Sequence, residues 1–294
     1  LLTTSIIAST IIMIVTTILF ASIFGYDLQM ELEMIMQMVD IYDTLTFEKR
    51  ADDQIVLSAN REDIPCDESN LIYKAAKLLF DYKQVSYGVN IHLEKRIPVA
   101  AGMAGGSTDA AAAFTGLNEL FELGVSQQEL MELAVKVGAD VPYCILGGCA
   151  LSEGIGEVLT PLPNPPYCEM VIAKPDINVS TKYVYENLNL PELKKHPDID
   201  GMKVAIEAGS LDGVIERLEN VLESVTVKKY GIIQDIKDEM ISLGAANAIM
   251  SGSGPTVFGF FDSREEAEAA KEKILEKELA KEVFVAHFME AIEE

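Results

Sequence analysis

Histidine is nearly absent from this chain, and the little there is does not build a metal centre. His92, His196 and His287 are the only three and lie far apart, without zinc-type spacing. Cysteine is sparse too. Cys66, Cys144, Cys149 and Cys168 include no C-x-x-C pair, which argues against a zinc ribbon, a redox dithiol or a disulfide framework. Four thiols in a reducing, cytoplasmic setting are expected instead. Basic residues are in deficit: 23 Lys+Arg face 47 Asp+Glu, a formal net charge of −24 over 294 residues. So acidic a chain repels nucleic-acid phosphates and anionic membranes. Any anionic ligand must therefore be gripped by local donors working against the overall field. No low-complexity tract or internal repeat is present, and the length suits two packed domains or one large one.

Charge is missing altogether from the beginning. The run LLTTSIIASTIIMIVTTILFASIFGY has no charged residue before Asp27, and the first basic residue is Lys49. It is long enough to span a bilayer as a helix. Against that, it is rich in β-branched residues, has no flanking Lys or Arg to orient it, and lacks the basic n-region of a signal peptide. A membrane anchor, a pair of buried strands and a non-native start are the three readings of this segment.

From Glu31 onward the text is ordinary α/β protein. TLTFEKR and QIVLSA alternate as strands. SNLIYKAAKLLFDYKQ places Leu71, Ala75, Leu78 and Leu79 at helical spacing behind Ser69 or Asn70 as cap. VNIHLEKRIP alternates again and stops at Pro98. An alanine-rich helix ending at Gly124 follows, then SQQELMELAVKVGA, with Ser126 as cap and Gly138 as stop. The prolines of TPLPNPPYC mark a boundary between halves. Beyond it come strand EMVIAKP, helices around 200–222 and 228–243, strands ANAIMSG and TVFGFF, helix REEAEAAKEKILEKE and strand EVFVAHFM. This order suggests an antiparallel-rich α+β layer with helices on one face.

Three segments carry chemistry. In PVAAGMAGGSTDAAA, Gly102, Gly105 and Gly106 permit a sharp turn and close approach of a ligand. Ser107, Thr108 and Asp109 are natural N-caps of the alanine helix. The free amides of that first turn and the helix dipole make it a site for a di- or triphosphate. There is no Walker lysine and no G-x-G-x-x-G spacing; by itself the segment also reads as a structural turn. In GADVPYC, Asp140 follows a helix stop and either caps the next turn or takes a proton from a substrate hydroxyl. In ANAIMSGSGPTVFGFF, Ser251 to Gly254 form a tight turn between strands.

Together with GIGEVLTPLP, these segments resemble the GHMP kinase superfamily, the group of galactokinase, homoserine kinase, mevalonate kinase and phosphomevalonate kinase. Within it the chain is similar to the members whose acceptor is a small-molecule cytidine diphosphate substrate. The resemblance runs from about Glu31 to the C-terminus. It implies an α+β fold of two domains: a ribosomal-protein-S5-like α/β domain over 31–160 and a ferredoxin-like α+β domain over 161–294, preceded by an atypical hydrophobic segment, 1–30. It implies ATP and Mg²⁺ as cofactors, and a monomer or homodimer. Pro98, Val99, Ala100, Ala101, Gly102, Met103, Ala104, Gly105, Gly106, Ser107 and Thr108 would form the ATP loop, with the SGSGPT turn behind it. Asp140 would be the general base. Tyr185 would stack on the cytosine, with Thr181 contacting the same substrate; the ordinary alternative for Tyr185 is a helix-face aromatic. No metal ligands are assigned.

The family also opens with a Lys-Ile-Asn strand followed by Gly-Tyr-His, and here the sequence departs from it. Gln29 and Met30 stand where Tyr-His would be, and Gly25-Tyr26 is followed by Asp27. Residues 1 to about 30 therefore read as a replaced or out-of-frame start. Other GHMP kinases of homoserine or mevalonate type, and a catalytically impaired or membrane-tethered nucleotide-binding homologue, are the competing readings.

Overall fold

The computed structural model describes residues 3–20, 30–154, 156–189, 193 and 196–289. In chain order come β1 (Thr3–Phe20), β2 (Met30–Arg50), β3 (Ile55–Ala59), α1 (Leu71–Lys83) and β4 (Gly88–Glu94). Then follow α2 (Gly105–Leu120), α3 (Gln127–Ala134), α4 (Val141–Leu146), β5 (Cys149–Glu153), β6 (Val158–Leu162) and β7 (Glu169–Lys174). The remainder is α5 (Thr181–Glu186), α6 (Ile199–Glu207), α7 (Leu211–Glu216), β8 (Glu219–Asn220), α8 (Glu223–Lys229) and α9 (Ile232–Ser242). It closes with β9 (Asn247–Met250), β10 (Val257–Phe261), α10 (Arg264–Glu276) and β11 (Glu282–His287).

Packing divides the chain into two units. The first holds the start of β1, Ile41–Val99 and Ala104–Gly147; the second holds Ile11–Asp40, Ala100–Met103 and everything from Gly148. The division expected near residue 160 follows the chain, whereas packing interleaves it. The physical reason is that β2 is long enough to serve both units, and Ala100–Met103 leave the first unit to pack in the second.

In the first unit β3 runs parallel to β4, and β4 pairs antiparallel with the second half of β2, Leu45 opposite Leu93 and Phe47 opposite Ile91. Those side chains are buried against α1 and α2. Asn70, rather than Ser69, caps α1 by accepting from the Ile72 amide. Ser126 and Glu129 form the capping box of α3. Residues 108–114 of α2 are all buried, so α2 is the central helix of this unit and its N-terminus has a fixed position.

In the second unit the sheet order is β11-β7-β10-β9, with every pair antiparallel. Val171 and Ala173 pack against Ile233, Ile236 and Met240 of α9 and Ala267, Ala270 and Ile274 of α10. The first half of β2 pairs with β5, and β5 with β6. Residues 3–20 are strand and not a membrane helix: β1 bridges β8 in parallel at Val15 and Thr16, as its β-branched composition favours. Among the described residues no helix is long and apolar enough to cross a membrane.

Candidate active site

Residues 98–108 run from the link after β4 into the first turn of α2. Left-handed backbone recurs at every second residue, Ala100 (φ 52°), Gly102 (φ 70°) and Ala104 (φ 48°). Only one of the three is glycine, and each alanine held there costs on the order of 1 kcal/mol, so the surroundings must impose the shape. Ala104 occupies the N-cap of α2, with no side-chain cap. Ser107, Thr108 and Asp109, expected as caps, lie inside the first turns instead, because Gly105 and Gly106 already adopt the helix. The amides of Ser107 and Thr108 are engaged with the Ala104 carbonyl. Those of Gly105 and Gly106 have no acceptor among the described residues. Thr108 turns its hydroxyl back onto the Gly105 carbonyl at 2.9 Å, while the Ser107 hydroxyl has no partner among the described residues.

The two glycines of this turn differ in purpose. A Cβ on Gly105 would lie 2.9 Å from Ile97 Cγ2 and 3.1 Å from Lys95 Nζ, whereas one on Gly106 would meet only Leu71 Cδ1 at 3.6 Å. Packing within the protein demands the first glycine and not the second.

Beneath the turn lies a buried ionic cluster. Lys95 Nζ contacts Asp43 Oδ2 and Asp109 Oδ2, each at 2.6 Å, and the Gly105 carbonyl at 3.1 Å. Asp43 Oδ1 in turn accepts from the amides of Arg96 and Ile97. Burial pushes the Asp109 carboxyl up to about 8, against the opposing pull of the Lys95 charge.

Asp140 stands at the N-cap position of α4, yet its side chain makes no capping bond. Among the described residues its carboxylate has no hydrogen-bond or ion-pair partner. It sits in a recess, half-buried by area but crowded by the chain, and that desolvation raises its pKa above the ordinary value. The amide and thiol of Cys144 bind the Asp140 carbonyl instead, at 3.2 and 3.1 Å. Burial raises the thiol pKa well above its usual value, and the charges of Asp140 and Asp109 raise it further. Both carboxylates therefore lie within electrostatic reach of Cys144.

Within the second unit the contacts around the glycine segment are neutral. A Cβ on Gly102 would lie 2.6 Å from the Ser251 carbonyl and 2.9 Å from that of Gly254, so no larger residue fits. Ser251 Oγ donates to the Gly102 carbonyl at 2.8 Å, and the Thr256 amide points to that of Ala101. Asn220 braces the SGSGPT turn through the carbonyls of Met250 and Gly252. Thr181 Oγ1 is 2.9 Å from Ser253 Oγ, at the start of α5. Tyr185, one turn on, is half-buried against the core of this unit. In the same helix Tyr183 meets Lys229, whose Nζ lies 3.4 Å from the ring centroid. The stretch from Gly25 to Gln29 lies outside the described residues.

The family models for the N-terminal and C-terminal domains of GHMP kinases match residues 70–148 and 202–281. A 4-diphosphocytidyl-2-C-methyl-D-erythritol kinase from Lachnoclostridium phytofermentans is 52% identical over 261 residues, covering 89% of this chain and 90% of that protein. The chain belongs to the 4-diphosphocytidyl-2-C-methyl-D-erythritol kinase family. Another such kinase, from Clostridium perfringens, is 49% identical over 86% of this chain and 88% of its own length. A crystal structure of a 4-(cytidine 5'-diphospho)-2C-methyl-D-erythritol kinase superposes with a TM-score of 0.82 at 27% identity, covering 97% of this chain and 99% of the other. A mevalonate kinase from L. major shares the fold at 16% identity and a TM-score of 0.73. The α+β, two-domain GHMP kinase fold is thus that of the kinase family to which the chain belongs.

Sequence reasoning missed Lys95, Asp43 and Asn220. Lys95 reads as the charged end of a strand in EKRIP, and Asp43 as one acid among many. The usable signal was position: a lysine three residues before Pro98 at the mouth of the glycine loop.

Proposed function

We propose that this chain transfers the γ-phosphoryl group of ATP to the 2-hydroxyl of 4-diphosphocytidyl-2-C-methyl-D-erythritol, in non-mevalonate isoprenoid precursor synthesis. The observation that carries this reading is the 52% identity to a kinase of that name across 89% of the chain. Residues 98–108 would hold the phosphates through main-chain donors. The unpaired amides of Gly105 and Gly106 and the Ser107 hydroxyl are suited to this. Asp140 takes the proton from the acceptor oxygen as its bond to phosphorus forms and ADP leaves. An unpaired carboxylate with a raised pKa is a better base than a surface aspartate. Thr181 contacts the cytidine, and Tyr185 stacks on its cytosine ring.

Mg²⁺ carried by the nucleotide would supply neutralising charge for the transfer. Among the described residues no group of three or more His, Cys, Asp or Glu is placed to hold a metal ion. The protein works in the cytoplasm as a monomer or homodimer on a small molecule, with its acidity disfavouring nucleic acid. The segments 31–160 and 161–294 are its two family domains.

A phosphoryl-transfer assay with ATP and a panel of alcohols tests the reading. Turnover is expected with the cytidine-bearing substrate alone; preferential phosphorylation of homoserine or mevalonate would overturn it. A second reading, an impaired enzyme, rests on the family resemblance: residues 1–48 of this sequence carry no lysine where the resemblance implies Lys-Ile-Asn. If that reading holds, a version carrying Lys-Ile-Asn in the first strand turns over much faster, and equal rates discard it.

A further inference from the structure

The reading above leaves Asp109 without a task. Its side chain is buried, with 4% of the residue exposed. Oδ2 accepts a hydrogen bond from Lys95, while Oδ1 is buried with no hydrogen-bond partner. Nothing in the cluster has a donor to spare. An ammonium has three donors, and those of Lys95 are matched by Asp43, Asp109 and the Gly105 carbonyl. Taken as fully ionised, one cation and two carboxylates leave one uncompensated negative charge. It lies one turn inside the helix end whose free amides are suited to phosphates. A polyphosphate brought there meets that charge at short range in a poorly screened setting.

We propose that Asp109 is a positioning residue that takes up a proton when a nucleotide polyphosphate docks on the first turn of α2, so that the cluster passes from one net negative charge to none. This rests on the phosphate-loop reading and adds a coupling to it. Lys95 and Asp43 are the charged groups that act most strongly on Asp109. From α4, Cys144 and Asp140 face the same region. On α1, Lys74, Lys77, Asp81, Tyr82 and Lys83 are exposed and Tyr73 is half-exposed; on α3, Glu132 is exposed and Glu129 is held in the capping box. In the free protein the carboxyl titrates at about 8, and a nearby phosphate anion moves it higher. The sign follows. Below pH 8 the proton is mostly in place already and binding takes up little. Above pH 8 the free protein has lost it and must regain it to bind, so affinity falls as pH rises.

The test is calorimetric titration of the full chain with ADP, without metal, at pH 7 and pH 9 in buffers of different ionisation enthalpy. Expected are proton uptake per ADP that is larger at pH 9 than at pH 7, and a Kd weaker by up to roughly tenfold at pH 9. Asp109→Asn should abolish both the uptake and the pH dependence, and Asp140→Asn should keep the uptake. Absence of proton uptake in the unmodified chain at pH 9 overturns the proposal whether or not Asp109→Asn folds. Uptake that persists in Asp109→Asn, or vanishes in Asp140→Asn, overturns it as well. Failure of ADP to bind at either pH instead removes the phosphate-loop reading, and the proposal with it.

Discussion

The two units secure their shares of the glycine segment by opposite means. In the first, Gly105 is held by a buried lysine between two carboxylates. In the second, Gly102 is held by a hydroxyl, a backbone amide and a fit so close that no Cβ is admitted. The ionic arrangement is interdependent: removing one member leaves buried charge with fewer partners to balance it. The neutral arrangement loses roughly one contact at a time, and its strength does not depend on pH. The charged half is thus the place where binding and protonation can be coupled, and the neutral half fixes shape.

The sharpest way to break this comparison is Lys95→Met. It leaves two buried carboxylates facing each other and should cost about 3–5 kcal/mol in urea unfolding; a loss below about 1 kcal/mol would show the cluster to be solvated. Next is Asp140→Asn. As this carboxylate has no partner, unfolding stability should barely change, while phosphoryl transfer falls by about 10²–10⁴-fold with nucleotide affinity retained in equilibrium dialysis. A large drop in stability would instead give Asp140 a structural role. Gly102→Ala combines a left-handed backbone with a 2.6 Å clash and should cost about 1–3 kcal/mol by thermal unfolding. Gly106→Ala should shift stability by less than about 1 kcal/mol, in either direction, yet weaken ADP binding, since only the ligand needs that space. Equal destabilisation by the two alanines would erase the distinction between the glycines.

Much of the fold was legible in the text. The alternating TLTFEKR falls within β2, the strands expected at QIVLSA and EMVIAKP formed as β3 and β7, and the alanine-rich run became α2. The β5–β6 hairpin was not legible: CALSE is buried on both faces for most of its length and so shows no alternation, while VLTPL carries a proline that signals a loop. The single helix expected over 200–222 is broken at Gly209, which has φ 63°, with Ser210 capping the next helix. That G-S pair was the overlooked signal. At the site, Asp140 and the glycine loop stood out because unusual residues cluster there. The hydroxyl caps failed because Ala104 takes a left-handed conformation that local propensity disfavours, imposed by packing.

Composition, periodicity and caps, which act over a few residues, determined where strands and helices form and that an acidic chain must carry its own local anion donors. Tertiary closure alone decided that Lys95 meets Asp43 across 52 positions and that Ser251 meets Gly102 across 149. No short-range preference encodes such partners: they are chosen when distant segments are buried together and every stranded charge or amide must find a match.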